Sequence, residues 1–317
     1  MTSGVPQGAT DGESLAPRLS VVVVNWNGAA YVGDCLASVR GAAREVIVVD
    51  NGSSDDSAAV VRRSAPDARW LANGANLGFA RAANAGLAAA RGWAVLFLNP
   101  DARANPEAIE AALQILESRP EVGLVSVALR DALGRIVPSV EPFFGFWTLA
   151  RGRWERRVSA PAGAGPIEIP WAHGAFYMAR RADLLALGGY DERFFLYAED
   201  MDLCFRVHES GRAVVHLPQV SIVHDGNRAG SALGEHRPAV IFASCLRFYE
   251  KHHGRPAQLG LRAAAAAAFA ARGLAYRLRG SPLAARYTLL ARAALLGRTT
   301  AATDERTPAA IPAGARS

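Results

Sequence analysis

The sequence predicts an α/β fold with a mostly parallel central sheet, flanked by helices and followed by a helical extension at the C-terminal end. Short β-branched segments, such as residues 19–24 and 45–49, are typical of strands buried on both faces. Helix-sized segments separate these strands at intervals of about 25 residues, which is the pattern of repeated βαβ units.

The first half of the chain follows this alternation closely. Its predicted strands and helices are 19–24, 31–40, 45–49, 57–64, 68–71, 80–91 and 94–98, in chain order. In parallel sheets the ligand binds beyond the carboxyl ends of the strands. Polar clusters at Asn25, at Asp50 and at residues 99–101 follow strand ends. The sequence therefore predicts a site on this edge of the sheet.

The second half is less regular. Its predicted elements are a helix over 106–117, a strand over 122–129, an extended segment over 167–178, a helix over 199–209 and strands over 213–217 and 220–224. Residues 141–165, which contain aromatics, Arg, Gly and Pro, are expected to form a mobile loop or lid. We divide the chain into a disordered lead-in (1–17), a main domain (18–236), an Arg-rich helical extension (237–298) and a disordered tail (299–317).

The composition indicates a folded globular protein, with 50% hydrophobic and 20% charged residues among 317. The net charge is 35 − 29 = +6. Three cysteines, an odd number without metal-type spacing, favour a reducing cytoplasm over a disulfide framework. No secretory signal is recognisable in residues 1–17. The longest apolar run, 263–271, is about half of a membrane span.

The basic residues are concentrated near the C-terminal end. Residues 251–298 contain Lys and Arg but no acidic residue, which predicts an anionic partner. Arginines interrupt Ala/Leu-rich helical sequence there, so these helices could lie on the inner face of the cell membrane. The alternative is a helical bundle packed on the main domain, with its arginines in solvent. No nucleic-acid partner is expected, because aromatic residues are few and no binding motif is present.

The segment Asn99-Pro100-Asp101 follows the strand over 94–98. Asn99 and Asp101 can point to one side and share a ligand, and their oxygens suit Mg²⁺ or Mn²⁺ on a diphosphate. Alternatively, Asp101 caps the next helix or fixes a turn. His224, at the end of a later strand, is either a further ligand or a structural histidine.

Asp50, Ser53 and Asp55 form a polar cluster after the second strand. A carboxylate there could accept a hydrogen bond from a ribose hydroxyl or a nucleobase. The alternative is an ordinary Asp-Asn-Gly-Ser turn.

Glu199 and Asp200 begin a predicted helix behind an aromatic run. Apolar surroundings raise a carboxylate pKa and a helix N-terminus lowers it, so one of them could act as a general base. They could instead only stabilise the first helical turn. Trp171 and His173 are either acceptor-binding or core residues.

Six segments together resemble family 2 glycosyltransferases of the GT-A fold, a Rossmann-like fold, and most closely the rhamnosyltransferase-like branch. They are residues 23–27 (VVNWN), 48–55 (VVDNGSSD), 76–84 (NLGFARAAN), 98–101 (LNPD), 174–178 (GAFYM) and 191–206 (DERFFLYAEDMDLCFR). The resemblance covers about residues 19–230. Each motif alone is weakly specific, whereas their order and spacing together are highly specific.

The resemblance implies roles for individual residues. Asn25, Asp50, Ser53, Asp55, Arg81 and Asn99 would bind the donor nucleotide. Asp101 and His224 would bind a divalent metal, Mg²⁺ or Mn²⁺. Asp200 would be the catalytic base, with Glu199 in support. Asn99 departs from the family's Asp-x-Asp motif, because an amide cannot supply the charge of the first carboxylate.

The expected function is therefore an inverting, metal-dependent transfer of a sugar, rhamnose from dTDP-rhamnose, to a glycan or a polyprenyl-diphosphate-linked acceptor in cell-wall or surface-polysaccharide synthesis. Galactofuranosyl or other hexosyl transfer and a non-catalytic sugar-nucleotide-binding subunit are the alternatives. An NAD-dependent dehydrogenase is disfavoured, because neither of the first two strands leads into G-x-G-x-x-G.

Overall fold

The computed structural model describes residues 18–150, 165–226 and 233–297. The predicted lead-in (1–17) and tail (299–317) lie outside these residues, as does most of the predicted loop over 141–165.

A central mixed sheet organises the described part of the chain. The strands of the described residues are β1 (Leu19–Asn25), β2 (Glu45–Asp50), β3 (Arg69–Ala72), β4 (Ala94–Leu98), β5 (Ala102–Arg103), β6 (Val122–Arg130), β7 (Ile136–Val137), β8 (Val140–Glu141), β9 (Ile167–Glu168), β10 (Trp171–Ala172), β11 (Phe176–Arg180) and β12 (Ala213–His224). Strands β8 and β10 form a separate small sheet, and the others belong to the central sheet. The main order is β3-β2-β1-β4-β11-β6-β12-β5. The first four strands are parallel, and β11 runs antiparallel to both neighbours.

Helices cover both faces of the sheet. They are α1 (Val32–Ser38), α2 (Ser57–Ser64), α3 (Phe79–Ala89), α4 (Pro106–Ser118), α5 (Phe146–Ala150), α6 (Arg181–Ala186), α7 (Glu199–Glu209), α8 (Arg237–His253), α9 (Arg255–Leu278) and α10 (Leu283–Leu296). Alternate residues of β1 belong to opposite core layers: Val22 packs with the α3 side, and Val21 packs with the α1 and α4 side. A strand buried on both faces explains the uninterrupted β-branched sequence.

The strand register places the predicted polar clusters on one edge. Asn25 pairs with Asp50 at the ends of β1 and β2. Ala175, just before β11, accepts a hydrogen bond from the backbone N–H of Asn99, just after β4. The carboxyl ends of β1, β2 and β4 therefore meet where β11 begins.

Three expectations about the second half are wrong in detail. The strands predicted over 213–217 and 220–224 are one strand, β12, whose pairing with β6 shifts between Leu217 and Ser221. Pro218 lies in this shift and cannot donate to the ladder. The predicted loop over 141–165 contains the end of β8 and helix α5. The extended segment over 167–178 is divided among β9, β10 and β11.

The C-terminal helices pack on the sheet domain. Phe248 of α8 stacks against Phe143 at a centroid distance of 6.2 Å, and Phe205 of α7 contacts Phe248 edge-on. Lys251 of α8 reaches the fully buried Asp202 of α7 at 2.6 Å. Within the described ranges, no helix is both long enough and apolar enough to cross a membrane.

Candidate active site

The end of β1 is joined to the loop after β2 by a buried polar contact. Asn25 is fully buried, and its Nδ2 donates to Asp50 Oδ1 at 3.3 Å and to Ser53 Oγ at 3.1 Å. The backbone N–H of Ser53 donates to Asp50 Oδ2 at 3.2 Å. Among the described residues, Asn25 Oδ1 is buried without a hydrogen-bond partner. Three of the predicted donor-binding residues are therefore held together.

Asp55 and Arg81 have other contacts. The carboxylate of Asp55 accepts hydrogen bonds from the backbone N–H of Ala29 at 2.8 Å and of Ser57 at 3.1 Å, so it shapes the loop that follows β1. Arg81, in the first turn of α3, forms a half-exposed ion pair with Glu192 at 3.4 Å. None of these contacts involves Asp50.

The short strand β5 brings His224 to Asp101. It pairs antiparallel with the end of β12, with Ala102 opposite His224. His224 Nε2 consequently lies 3.2 Å from Asp101 Oδ1. The turn after His224 is fixed by Arg103, which pairs with Asp225 at 2.7 Å. No sequence signal marked β5, because two residues are too few for a periodic pattern.

The structure rejects one of the alternatives for Asp101. The cap of α4 is Asn105, whose side chain accepts a hydrogen bond from the backbone N–H of Ala108 at 2.8 Å. Asp101 is 7% exposed and faces His224 instead.

The Asp101–His224 pair fits a cation chemically. Within the described residues His224 Nε2 is buried and makes no hydrogen bond, although Asp101 Oδ1 is within ion-pair distance. An imidazole nitrogen beside a carboxylate oxygen is a donor set that Mn²⁺ or Mg²⁺ can use when the nitrogen is unprotonated. In the described ranges no cluster of three or more His, Cys, Asp or Glu side chains could bind a metal. Other ligands would have to come from a bound diphosphate or water.

Asn99 is half-buried and directly follows β4. Its carbonyl oxygen accepts from the N–H of Ala102 at 3.0 Å, and its N–H donates to Ala175 at 3.1 Å. These contacts close the turn that carries Asp101.

Helix α7 begins in strained backbone. Tyr197 and Ala198, immediately before Glu199, have φ values of 66° and 65°. This left-handed region is costly for residues other than Gly and is frequent at functional sites. The two residues turn the chain so that a helix begins with Glu199, which is buried, and Asp200, which is partly buried.

Asp200 is held from two directions. Its Oδ2 accepts a hydrogen bond from the backbone N–H of Gly174 at 3.2 Å, and its Oδ1 accepts one from its neighbour Met201 at 2.8 Å. Burial raises the pKa of Asp200, and the nearby positive charge of His173 and these two hydrogen bonds oppose that rise. A carboxylate with a raised pKa is a better proton acceptor than an exposed one.

Glu199 is buried differently. It is 8% exposed, and its Oε2 has no hydrogen-bond partner among the described residues. Burial, and to a lesser degree the charge of Asp200, raise the pKa of Glu199 well above its ordinary value. Asp200 accepts two backbone hydrogen bonds, whereas Glu199 Oε2 accepts none among the described residues, so the hydrogen bonding favours the ionised form at Asp200 rather than at Glu199.

The small sheet of β8 and β10 adds a residue that the sequence prediction missed. Glu141 pairs with Trp171 across this sheet, and Glu141 Oε1 lies 2.8 Å from His173 Nε2. Trp171 stacks on His173 at a centroid distance of 5.6 Å and donates from Nε1 to the Pro142 carbonyl. Only the cross-strand pairing identifies Glu141, because the sequence predicts a loop over residues 141–165.

Comparison with known proteins decides the family. The sequence model described as Glycosyl transferase family 2 matches residues 20–183. That segment is more than half of the chain. The chain belongs to glycosyl transferase family 2. It is therefore a glycosyltransferase, as the motifs of residues 23–206 predict.

Two relatives of this glycosyltransferase are named rhamnosyltransferases. N-acetylglucosaminyl-diphospho-decaprenol L-rhamnosyltransferase of Mycobacterium tuberculosis (strain CDC 1551 / Oshkosh) is 28% identical over 262 residues, which is 74% of this chain and 85% of that protein. Rhamnosyltransferase WbbL of Escherichia coli (strain K12) is 24% identical over 137 residues, covering 41% and 51%. The rhamnosyltransferase-like resemblance is thus confirmed.

A solved structure confirms the predicted fold. The mannosyltransferase PcManGT from Pyrobaculum calidifontis, in complex with GDP-Man and Mn²⁺, aligns with this glycosyltransferase at a TM-score of 0.54 and 22% identity. The alignment covers 90% of this chain and 86% of that one. The GT-A architecture with a C-terminal helical region therefore accounts for the described residues.

Proposed function

We propose that this glycosyltransferase transfers rhamnose from dTDP-rhamnose to a hydroxyl of a polyprenyl-diphosphate-linked sugar, with inversion at the anomeric carbon. The names of the two rhamnosyltransferase relatives support the donor sugar, and the Mycobacterium tuberculosis relative supports a lipid-linked acceptor in cell-wall or surface-polysaccharide synthesis.

One arrangement carries the proposal. Two consecutive residues, Gly174 and Ala175, connect the proposed base with the turn that carries the proposed metal ligand. The Gly174 N–H donates to Asp200, and the Ala175 carbonyl accepts from Asn99, in the turn that carries Asp101. A diphosphate leaving group bound near Asp101 and an acceptor hydroxyl bound near Asp200 could then lie on either side of one anomeric carbon, as an in-line displacement requires.

The donor nucleotide would bind over the ends of β1 and β2. The carboxylate of Asp50 would accept from the nucleoside, since Asn25 and Ser53 fix its orientation. Asp55 would act indirectly by holding the loop after β1, and Arg81 would have to leave Glu192 to reach a phosphate.

Asp101 and His224 would hold a divalent metal, Mg²⁺ or Mn²⁺. When bound, such an ion stabilises the negative charge that develops on the leaving diphosphate. The two protein ligands keep their own positions through β5 and through the pairing of Ala102 with His224. Asn99 would contribute a neutral oxygen or a hydrogen bond to the diphosphate.

Asp200 would accept the proton of the attacking hydroxyl. An alcohol is a poor nucleophile, and a positioned base contributes about 10²–10⁴-fold to such reactions. Glu199, whose raised pKa favours the neutral acid, would limit the negative charge beside Asp200. Trp171 and His173 would form the side of the acceptor site nearest Gly174.

The test compares single-residue variants of the full chain. Asp200→Asn should lose about 10³-fold or more in transfer while binding dTDP-rhamnose as the wild type does, measured by mass spectrometry of product and by thermal shift with Mn²⁺. Glu209→Gln, an exposed change on the same helix, is the matched control. Near-normal transfer by Asp200→Asn would remove Asp200 as the base.

A panel of activated sugars separates the remaining alternatives. Low-salt glycan biosynthesis hexosyltransferase Agl10 of Haloferax volcanii is 25% identical over 221 residues, so another hexose or galactofuranose is the competing donor. Preferential turnover of one of these competing donors over dTDP-rhamnose would change the assigned donor sugar but not the proposed mechanism. Binding of a donor without turnover of any would indicate a non-catalytic subunit.

A further inference from the structure

The outward side of α9 is apolar along much of its length. Its exposed residues there, which we call the α9 outer face, are Ala263, Ala264, Ala267, Ala268, Ala270, Ala271, Leu274, Ala275 and Leu278. Leu274 is 58% exposed and Leu278 is 80% exposed. A helix on the surface of a globular protein normally presents charged and polar residues to solvent. An apolar exposed face of this kind marks a surface that contacts something else.

The opposite side of α9 is already occupied. Leu261, Ala265 and Phe269 are buried, and Phe269 meets Phe242 of α8 edge-on at 5.1 Å. Arg262 donates to the carbonyls of Ala294 and Leu295 at the end of α10. The helix is therefore fixed in the bundle by its inner side, which leaves the outer face for a partner.

The charges around this face are of one sign. Arg277 and Arg279 are exposed at the end of α9 and just beyond it, whereas the guanidinium of Arg272 lies over the Tyr287 ring of α10. Residues 251–297 contain eight Lys and Arg and no Asp or Glu. A partner that covers the outer face must therefore tolerate or attract positive charge. An anionic lipid surface meets both requirements, because its acyl chains provide apolar contact for the α9 outer face and its phosphates attract positive charge.

We infer that the α9 outer face lies on the surface of an anionic bilayer, with Leu274 and Leu278 in the head-group boundary and Arg277 and Arg279 at lipid phosphates. None of the described helices can span a membrane, so the contact lies in the plane of the surface. The inference deepens the proposed function, on which it rests for the lipid-linked acceptor. Lys251 joins the bundle to Asp202 of α7, so docking would orient the helix that carries Asp200.

Vesicle flotation of the full chain tests the inference without any turnover. Wild-type protein should bind vesicles of equimolar phosphatidylglycerol and phosphatidylcholine more tightly than vesicles of phosphatidylcholine alone. The double variant Leu274→Glu/Leu278→Glu should bind the mixed vesicles about 100-fold more weakly, or tenfold for each leucine withdrawn from the apolar boundary. Leu133→Glu is the matched control, since Leu133 is 76% exposed and lies in the turn between β6 and β7.

The charge contribution has its own variant. Replacing Arg277 and Arg279 with Gln should weaken binding to the mixed vesicles about fivefold for each charge. Binding to phosphatidylcholine alone should change little, and added salt should reduce the wild-type affinity.

Three results would overturn the inference: no wild-type binding to either vesicle, unchanged binding of the leucine variant, or a dimer in solution that the leucine variant dissociates. The last result would assign the face to a second copy of the chain. Failure of the proposed function alone gives a different result: the protein binds the vesicles but transfers rhamnose to no acceptor. Rhamnose transfer to a water-soluble acceptor with no vesicle binding would overturn the inference alone.

Discussion

His224 Nε2 lies 3.2 Å from Asp101 Oδ1, although one residue ends β12 and the other follows β4. The two-residue strand β5 creates this contact by pairing Ala102 with His224. The contact joins the two halves of the sheet through a carboxylate oxygen and an imidazole nitrogen that makes no hydrogen bond within the described chain. It therefore gives the clearest target for mutagenesis.

Asp101→Asn and His224→Ala should each lower transfer about 100-fold or more and raise the Mn²⁺ concentration that gives half the maximal rate. The reason is the loss of one of two protein ligands. The measurement is the initial rate across a Mn²⁺ titration after treatment with EDTA. His216→Gln is the matched control, because His216 lies on the same strand but is buried against Ser126 at 2.9 Å. An unchanged Mn²⁺ dependence in His224→Ala would exclude His224 as a ligand.

The pH profile should report the raised pKa of Asp200. The base must be ionised to accept a proton, so a raised pKa moves the acid-side loss of activity to a pH above the ordinary aspartate value of about 3.9. His173→Asn should shift that limb farther up, because the positive charge that lowers the pKa of Asp200 is removed. The measurement is kcat/KM against pH. The exposed His253→Asn should leave the limb in place, and a downward shift in His173→Asn would contradict the assignment.

Glu141 should act by positioning His173. Glu141→Ala removes the 2.8 Å contact to His173 Nε2 and should lower kcat/KM about 10- to 100-fold, while Glu141→Gln, which can still accept that hydrogen bond, should recover most of the loss. Steady-state kinetics with the acceptor varied provides the measurement. Equal activity of the Ala and Gln variants would show that the contact is not needed.

Lys251→Met should destabilise the protein by about 3 kcal/mol, because it removes one partner of a buried carboxylate. This loss is at the low end of what the removal of one partner from a buried ion pair costs, because Arg206 and His252 still contact Asp202 at 2.8 Å. Urea denaturation gives the free energy of unfolding. Arg255→Met, an exposed change at the start of α9, should cost under about 0.5 kcal/mol. Equal stability of the two variants would mean that α8 is not anchored through Asp202.

The sequence alone determined the βαβ alternation and the edge at which the site lies. The β-branched strands at residues 19–24 and 45–49 must be buried on both faces, and their polar ends must then share an edge. Asn25 and Asp50 meet there for this reason. Local patterning is sufficient for such features because burial fixes both the element and its direction.

Tertiary structure decided which polar residues act together. Asp101 and His224 meet only through β5, and Glu141 reaches His173 only through the pairing of β8 with β10. These contacts join residues that are distant in sequence through strands of two residues, which have no periodicity to detect. The packing of the C-terminal helices also depends on tertiary structure, because contacts with α8 and α10, rather than the sequence of α9 itself, determine which side of α9 is buried.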